Sequence, residues 1–266
     1  NGKWLEVESQ ALRAGVLEET SKVLQCLDEK QRVIIDISAA GYVVKHRYLD
    51  KVRCKISTRF ATKINSAAIY STSFSHYFGI GEAEPSVALL ESTLKPTVND
   101  REAMCFYTVD EKPQYEIDPE DYITEYRYDS LGRELDCIRY AARMSAAEKA
   151  QLLQGGALNR IPNRACDRIT SKCYDLDGHL LAEQDEAGYL TQYEHDAGDR
   201  LVAKQHFLSP NTSYCADLKT LLPKAPLPSA TYRYYYDDNN RCTLIVDPEN
   251  YATVQEYTFL EKPTQT

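Results

Sequence analysis

Apolar and polar positions alternate along most of this chain in short runs, and the runs are separated by polar turns. Val33-Ile34-Ile35-Asp36-Ile37 and Tyr42-Val43-Val44-Lys45-His46-Arg47-Tyr48 are rich in β-branched and aromatic residues, with Gly41 marking the turn between them. The clearest stretch is Tyr126-Arg127-Tyr128-Asp129-Ser130-Leu131-Gly132-Arg133. On an extended strand Tyr126 and Tyr128 face the same way, because side chains alternate with a period of two. Asp129 can fold its carboxylate onto the backbone ahead of it and start a turn. Gly132 supplies the positive φ that closes a tight hairpin, and Arg133 opens the returning strand.

The same pattern is weaker elsewhere. Residues 1–27 fit either a strand pair broken at Gly15 or a short helix, and strands are favoured because clear strands follow. Over residues 51–105, Ile56 to Phe60 and Ile64 to Tyr77 read as extended, Pro85–Glu91 as a short helix or a strand, and Gly79–Pro85 as a loop. Met144–Gln154 breaks the strand pattern. Ser145-Ala146-Ala147-Glu148 is a capping box, good helix formers follow, and Gly155 and Gly156 end the segment. A second insertion spans Ser209–Ala230, with a short helix expected over Tyr214–Leu222 and an irregular return forced by Pro223, Pro226 and Pro228.

The turns recur in phase. Asp-x-x-x-Arg occurs at Asp28–Arg32, Asp129–Arg133, Asp196–Arg200 and Asp237–Arg241, and Asp175–His179 has the frame with His for Arg. Gly132 and Gly178 are the best turn residues, Gln31 and Asn240 are weaker, and Gly198 sits one place early. A second element lies between these turns: Asp118–Tyr122, Asp185–Tyr189, Asp247–Tyr251 and a degraded copy at Ser38–Tyr42. Six residues after each of its tyrosines comes another aromatic or a histidine: Tyr128, His195, Tyr257 and Tyr48. The full period is about twenty-one residues, enough for two short strands and two turns. The repeat residues singled out are the turn set Asp28, Arg32, Asp129, Gly132, Arg133, Asp175, Gly178, Asp196, Arg200, Asp237 and Arg241, and the strand aromatics Tyr122, Tyr126, Tyr128, Tyr189, Tyr193, Tyr251 and Tyr257.

Tyr128-Asp129-Ser130-Leu131-Gly132-Arg133 and Tyr174-Asp175-Leu176-Asp177-Gly178 resemble the tyrosine-aspartate (YD) repeats of Rhs proteins, of the B and C components of insecticidal Tc toxins, and of teneurins. The resemblance is best over Asp118–Leu135, Arg168–Ala203 and Tyr232–Phe259, and fainter over Leu27–Asp50. It implies a mainly β fold of repeated antiparallel hairpins in a curled sheet, with one or two short inserted helices. The organisation expected is degenerate repeats over 1–60, irregular strands and a loop over 61–105, a repeat over 106–142, a helical insertion over 143–165, repeats over 166–208, a Pro-rich or helical insertion over 209–230, and a repeat over 231–266. Together these form one continuous domain or a fragment of a larger shell. In that family the sheet spirals into a shell around another polypeptide. The resemblance therefore implies a structural wall segment made in a bacterial cytoplasm and delivered outside. Its partners would be the remaining shell or an enclosed toxic cargo. The alternative is a binding module for a cell-surface protein or glycan, and a third possibility is a hydrolase hidden in residues 51–105. Some members of the family carry an aspartate pair that cuts the chain within a core rich in Pro, Gly and Tyr; no such core occurs here.

Composition narrows the chemistry. Twenty Tyr against six Phe suits a sheet with one wet face, since the ring packs while the hydroxyl reaches a partner. A net charge of −9 argues against a nucleic-acid groove and an electrostatic membrane anchor, and no apolar run is long enough for a membrane helix. The eight cysteines contain no C-x-x-C pair and read as buried reduced thiols, although Cys166 and Cys173 could pair across a short loop. The acidic turns lack the ligand spacing of a calcium loop. Gly79-Ile80-Gly81 lacks a dinucleotide frame, and Ser71, Ser73 and Ser75 lack a nucleophile elbow. A Cys173–His195 pair stays open as an unsupported possibility. No catalytic, cofactor or metal site is expected.

Overall fold

The computed structural model describes residues 3–9, 12–13, 16–17, 21–38, 40–64, 94–211, 213–220, 222, 230–257 and 263–265, with side chains from Gln25 to Tyr257. The fold is mainly β and antiparallel. It divides into two units, one of residues 1–121 with 145–157 and one of residues 122–144 with 158–266.

In the first unit the strands are β1 (Lys3–Ser9), β2 (Leu12–Arg13), β3 (Val16–Leu17), β4 (Ser21–Leu27), β5 (Val33–Ile37), β6 (Val43–Leu49), β7 (Cys54–Arg59), β8 (Arg101–Tyr107) and β9 (Pro113–Ile117). β1 pairs with β4, and from β4 to β9 each strand pairs antiparallel with the next. The described residues within 1–27 are thus strands, and β2 pairs with β3. A single 3₁₀ turn, Asp50–Val52, joins β6 to β7. Cys26, Ile35, Ile37 and Val43 alternate onto one face and pack with Phe60 and Leu94 as a core. The expected extended run Ile64–Tyr77, apart from Ile64, and the Gly79–Pro85 and Pro85–Glu91 segments lie outside the described residues.

The inserted helix α1 (Ala146–Leu153) forms where its capping box stands. The Ser145 hydroxyl accepts from the Glu148 N–H at 3.3 Å, and the Glu148 carboxylate accepts from the Ser145 N–H at 2.8 Å. The helix belongs to the first unit. Leu152 is buried, and Lys149 Nζ lies 3.4 Å from Glu102 and 3.9 Å from Asp121. Among the described residues no helix is long and apolar enough to cross a membrane.

The second unit contains β10 (Ile123–Tyr128), β11 (Glu134–Arg139), β12 (Arg168–Tyr174), β13 (Leu180–Gln184), β14 (Leu190–His195), β15 (Leu201–Phe207), β16 (Ala230–Tyr236), β17 (Cys242–Val246), β18 (Ala252–Tyr257) and β19 (Pro263–Gln265). Each pairs antiparallel with the next. Where a helix was expected over Tyr214–Leu222, the described residues hold only a 3₁₀ turn at Leu218–Thr220. Leu218 packs there against Cys173, Ala182, Leu190 and Phe207. The departure has a local cause: Asp217 bonds the backbone N–H of Lys219, and Tyr214 is drawn onto the sheet instead of into a helix.

Candidate functional site

The two sequence elements are one turn. In both, the amide of the opening residue donates to the carbonyl four residues on, the amide three residues on donates back, and that fourth residue has positive φ. Asp129 N to Arg133 O is 2.9 Å and Gly132 N to Asp129 O is 2.9 Å, while Asp247 N to Tyr251 O is 2.9 Å and Asn250 N to Asp247 O is 3.1 Å. Gly132 (φ +75°), Gln31 (+62°) and Asn240 (+61°) hold the left-handed position in the Arg turns; Gly188 (+91°), Asn250 (+67°) and Gly41 (+81°) hold it in the Tyr turns. In the Asp196 turn that place belongs to Asp199 (+63°) and not to Gly198, because the hydrogen-bond frame fixes it immediately before the arginine. The connection Thr108–Lys112 is a further copy, with Glu111 at +60° and Thr108 Oγ1 accepting the Lys112 amide. Sequence reading passed over it because Thr and Lys replace Asp and Arg. Each Arg or His turn is also entered through a one-residue register shift, as at Arg127/Tyr128 and Tyr235/Tyr236.

What distinguishes the Arg turn is a relay to the following strands. Asp129 Oδ1 accepts the amides of Leu131 and Arg133, and Oδ2 accepts Arg133 Nε at 2.7 Å. The Arg133 guanidinium then lies 4.6 Å above the Tyr174 ring, whose hydroxyl donates to the Glu134 carbonyl at 3.2 Å. Asp28–Arg32–Tyr48, Asp196–Arg200–Tyr236 and Asp237–Arg241–Tyr257 repeat the arrangement, with the tyrosine hydroxyls on the carbonyls of Val33, Leu201 and Cys242. Arginine also reaches the next turn: Arg133 to the Asp175 carbonyl, Arg200 to Asn240, and Arg32 to Asp50. The hydrogen bonds from Arg200 and from the turn amides hold the Asp196 carboxyl down at about 2; those from Arg32 and Arg241 lower Asp28 and Asp237.

The remaining strand aromatics are less uniform. Tyr193 donates to Glu183 at 2.5 Å under the ammonium of Lys204, and Tyr122 lies under Arg143 at 5.2 Å. Tyr126 and Tyr128 are half-buried in β10, opposite Cys137 and Glu134. Tyr189 and Tyr251 are exposed, their amides held by Asp185 and Asp247. Among the cysteines Cys26, Cys54 and Cys173 are buried, whereas Cys166 is exposed.

Two polar constellations were not visible in the sequence. In the second unit Arg127 donates to Tyr214 Oη at 2.6 Å, and Tyr214 donates to Asp136 at 3.0 Å. Ser171 donates to the other Asp136 oxygen at 2.7 Å, and Arg164 reaches Ser171. Glu125 takes Arg127 and the Tyr140 hydroxyl. Burial raises Asp136 and outweighs the donations from Ser171 and Tyr214; burial likewise pushes Tyr214 up to about 12. The cluster pins the second insertion to the sheet through one hydroxyl.

In the first unit Ser57 Oγ lies 2.9 Å from His46 Nδ1, and His46 Nε2 lies 2.8 Å from Asp36, which also accepts from Gln25 at 2.8 Å. The order resembles a serine hydrolase triad. However, all four residues sit within strands whose register engages them in backbone ladders: Gln25 opposite Asp36 and His46 opposite Ser57. The arrangement is a cross-strand polar row.

The family model for the RHS Repeat matches residues 174–206. No curated protein matches. Among solved structures, the crystal structure of TcdB2-TccC3-Cdc42 is similar at TM-score 0.44 and 9% identity, covering 91% of this chain and 13% of that one. The crystal structure of TcdB2-TccC3 without its hypervariable C-terminal region is similar at TM-score 0.42 and 11% identity, covering 91% and 12%. This chain thus spans about an eighth of those chains. Residues 174–206 match the RHS Repeat model, and the turns at Asp28 in the first unit and at Asp129 and Asp237 in the second have the same Asp frame.

Proposed function

We propose that the chain is a segment of the wall of an Rhs- or Tc-like shell and that its work is containment. The relay from a turn aspartate through arginine to the tyrosine of a later strand carries this reading. At four turns it ties a hairpin to its neighbour by side chains as well as by the backbone ladder, as a wall that holds a polypeptide would require. The RHS repeat at residues 174–206 supports the assignment. On this reading the partners are further shell and an enclosed toxic C-terminal cargo, and the protein is made in a bacterial cytoplasm and delivered outside it. The role is structural, and the buried carboxylates serve the sheet.

Light scattering with small-angle X-ray scattering on the purified chain tests the reading. A wall segment gives an extended particle, or one that associates through its sheet. A compact monomer that stays so at high concentration contradicts it.

A second reading, a binding module, has one observation in its favour. A cleft of about 720 Å³ in the second unit is lined by Tyr189, Tyr232, His206, Glu183 and Lys172. Aromatic rings beside polar groups suit a glycan. Binding of glycans in an array, lost on Tyr189→Ala, would favour it.

A further inference from the structure

One turn departs from the relay at several places together. Where the other Asp turns of the relay have arginine, Asp175 has His179; where the partner strand has tyrosine, it has His195. The third residue of the turn is Asp177, a carboxylate, where the other four turns carry Lys30, Leu131, Gly198 and Asn239. The two imidazoles stack with centroids 4.9 Å apart and planes at 28°, taking the place of the guanidinium over the phenol ring.

The substitutions leave the turn intact and change what faces outward. Asp175 Oδ1 accepts the amides of Asp177, Gly178 and His179, whereas in the sister turns that oxygen takes only the first and last of these places and the middle amide goes to the Asp carbonyl. Its Oδ2, which elsewhere takes an arginine Nε, lies 3.1 Å from His179 Nδ1. Ligand atoms of Asp175, Asp177 and His179 all lie within 4.8 Å of one another. On its far edge His179 Nε2 faces Asp199 Oδ1 at 3.4 Å. Arginine can only donate at this place, whereas imidazole can offer a lone pair.

We propose that this turn binds a divalent transition-metal ion of the zinc class. The ion is held by Asp175 Oδ2, a carboxylate oxygen of Asp177 and His179 Nδ1. Two oxygens and one nitrogen at about 2.0–2.2 Å suit zinc, and the fourth position goes to water. The neutral ring binds as the tautomer with its proton on Nε2, so that the Nδ1 lone pair goes to the metal and no ring proton is lost. His179 Nε2–H then donates to Asp199, which orients the ring as outer carboxylates do at metal-bound histidines, and the His195 stack fixes its plane. In a wall, such an ion would close a turn whose arginine clamp is gone.

The test is titration of the whole chain with Zn²⁺ by calorimetry and with Co²⁺ by absorption, alongside His179→Arg and Asp177→Asn. His179→Arg restores the residue of the sister turns and preserves the fold. Asp177→Asn keeps the backbone bond of the turn. The expected result is one ion per chain in the micromolar range, a Co²⁺ spectrum of nitrogen and oxygen ligands, loss of binding in His179→Arg, and at least tenfold weakening in Asp177→Asn. Absence of binding, equal binding by His179→Arg, or a thiolate charge-transfer band from the cysteines would each overturn the proposal.

Discussion

Arg133 stacks 4.6 Å above the ring of Tyr174, and the Tyr174 hydroxyl returns to the carbonyl of Glu134, the residue that follows Arg133. Arginine and tyrosine thus hold each other across β11 and β12, while Asp129 holds the arginine from the turn. Lysine keeps the charge but loses the planar fork and the Nε bond. Arg133→Lys is therefore expected to destabilise the chain by about 1 kcal/mol. Denaturant titration checks this. In a Tyr174→Ala background the same substitution costs measurably less, because the two residues share one interaction.

Acid should loosen the turns before it unfolds the sheet. Asp196 is lowered to about 2 and Asp28 and Asp237 are lowered as well. A carboxyl whose folded pKa is depressed adds stability that is fully present above its unfolded value of about 3.9, and the stability is lost as pH falls through the folded value. Stability therefore declines from about pH 5 downward. A melting series from pH 7 to pH 2, with Asp196→Asn as control, shows the decline reduced in the variant.

Tyr214 links the second insertion to the sheet, beside the Leu218 packing and the Asn211–Gly188 bond. Tyr214→Phe removes a hydroxyl that accepts from Arg127 and donates to Asp136, and leaves the half-buried Arg127 and the buried Asp136 a partner short. The expected cost is about 1–3 kcal/mol. Limited proteolysis should cut within residues 209–222 sooner in the variant than in the parent chain.

Gly188 gives a second handle on the same insertion. It has φ +91°, and an added Cβ would stand 2.5 Å from the carbonyl oxygen of Asn211, whose amide donates to the Gly188 carbonyl. Gly188→Ala therefore combines left-handed strain with a backbone clash. It should destabilise more than Gly132→Ala, whose φ of +75° carries the left-handed cost of about 1–2 kcal/mol. Paired thermal melts of the two variants check the order.

What could be read from the sequence is what is local. The Asp129, Asp196 and Asp237 turns are five-residue units whose bonds close within themselves, so their residues announce them. The Ser145 capping box marks the start of α1 for the same reason. Thr108–Lys112 escaped notice because the backbone frame survives when Thr Oγ1 replaces a carboxylate. Gly198 stands one place early in the spacing, and the hydrogen-bond frame puts Asp199 at the left-handed position. The pairing of each arginine with a tyrosine from another strand, the Tyr214–Asp136 bond and the Asp36–His46–Ser57 row depend on register. No spacing along one chain encodes them. Tyr214 in particular sits in a Pro-rich insertion where a short helix was expected, and its bond to a buried carboxylate on the sheet holds it there instead.

Hairpins that flank an Asp–Arg turn are coupled through the Asp–Arg–Tyr relay, and hydrogen–deuterium exchange on Arg200→Ala tests that coupling. Arg200 touches Asp196 in its own turn, Tyr236 on β16 and Asn240 in the next turn. The relay predicts faster exchange at the Asp196 turn together with the end of β16 and the Asp237 turn. Faster exchange confined to residues 196–200 would contradict it, and the hairpins would then be joined by the backbone ladder alone.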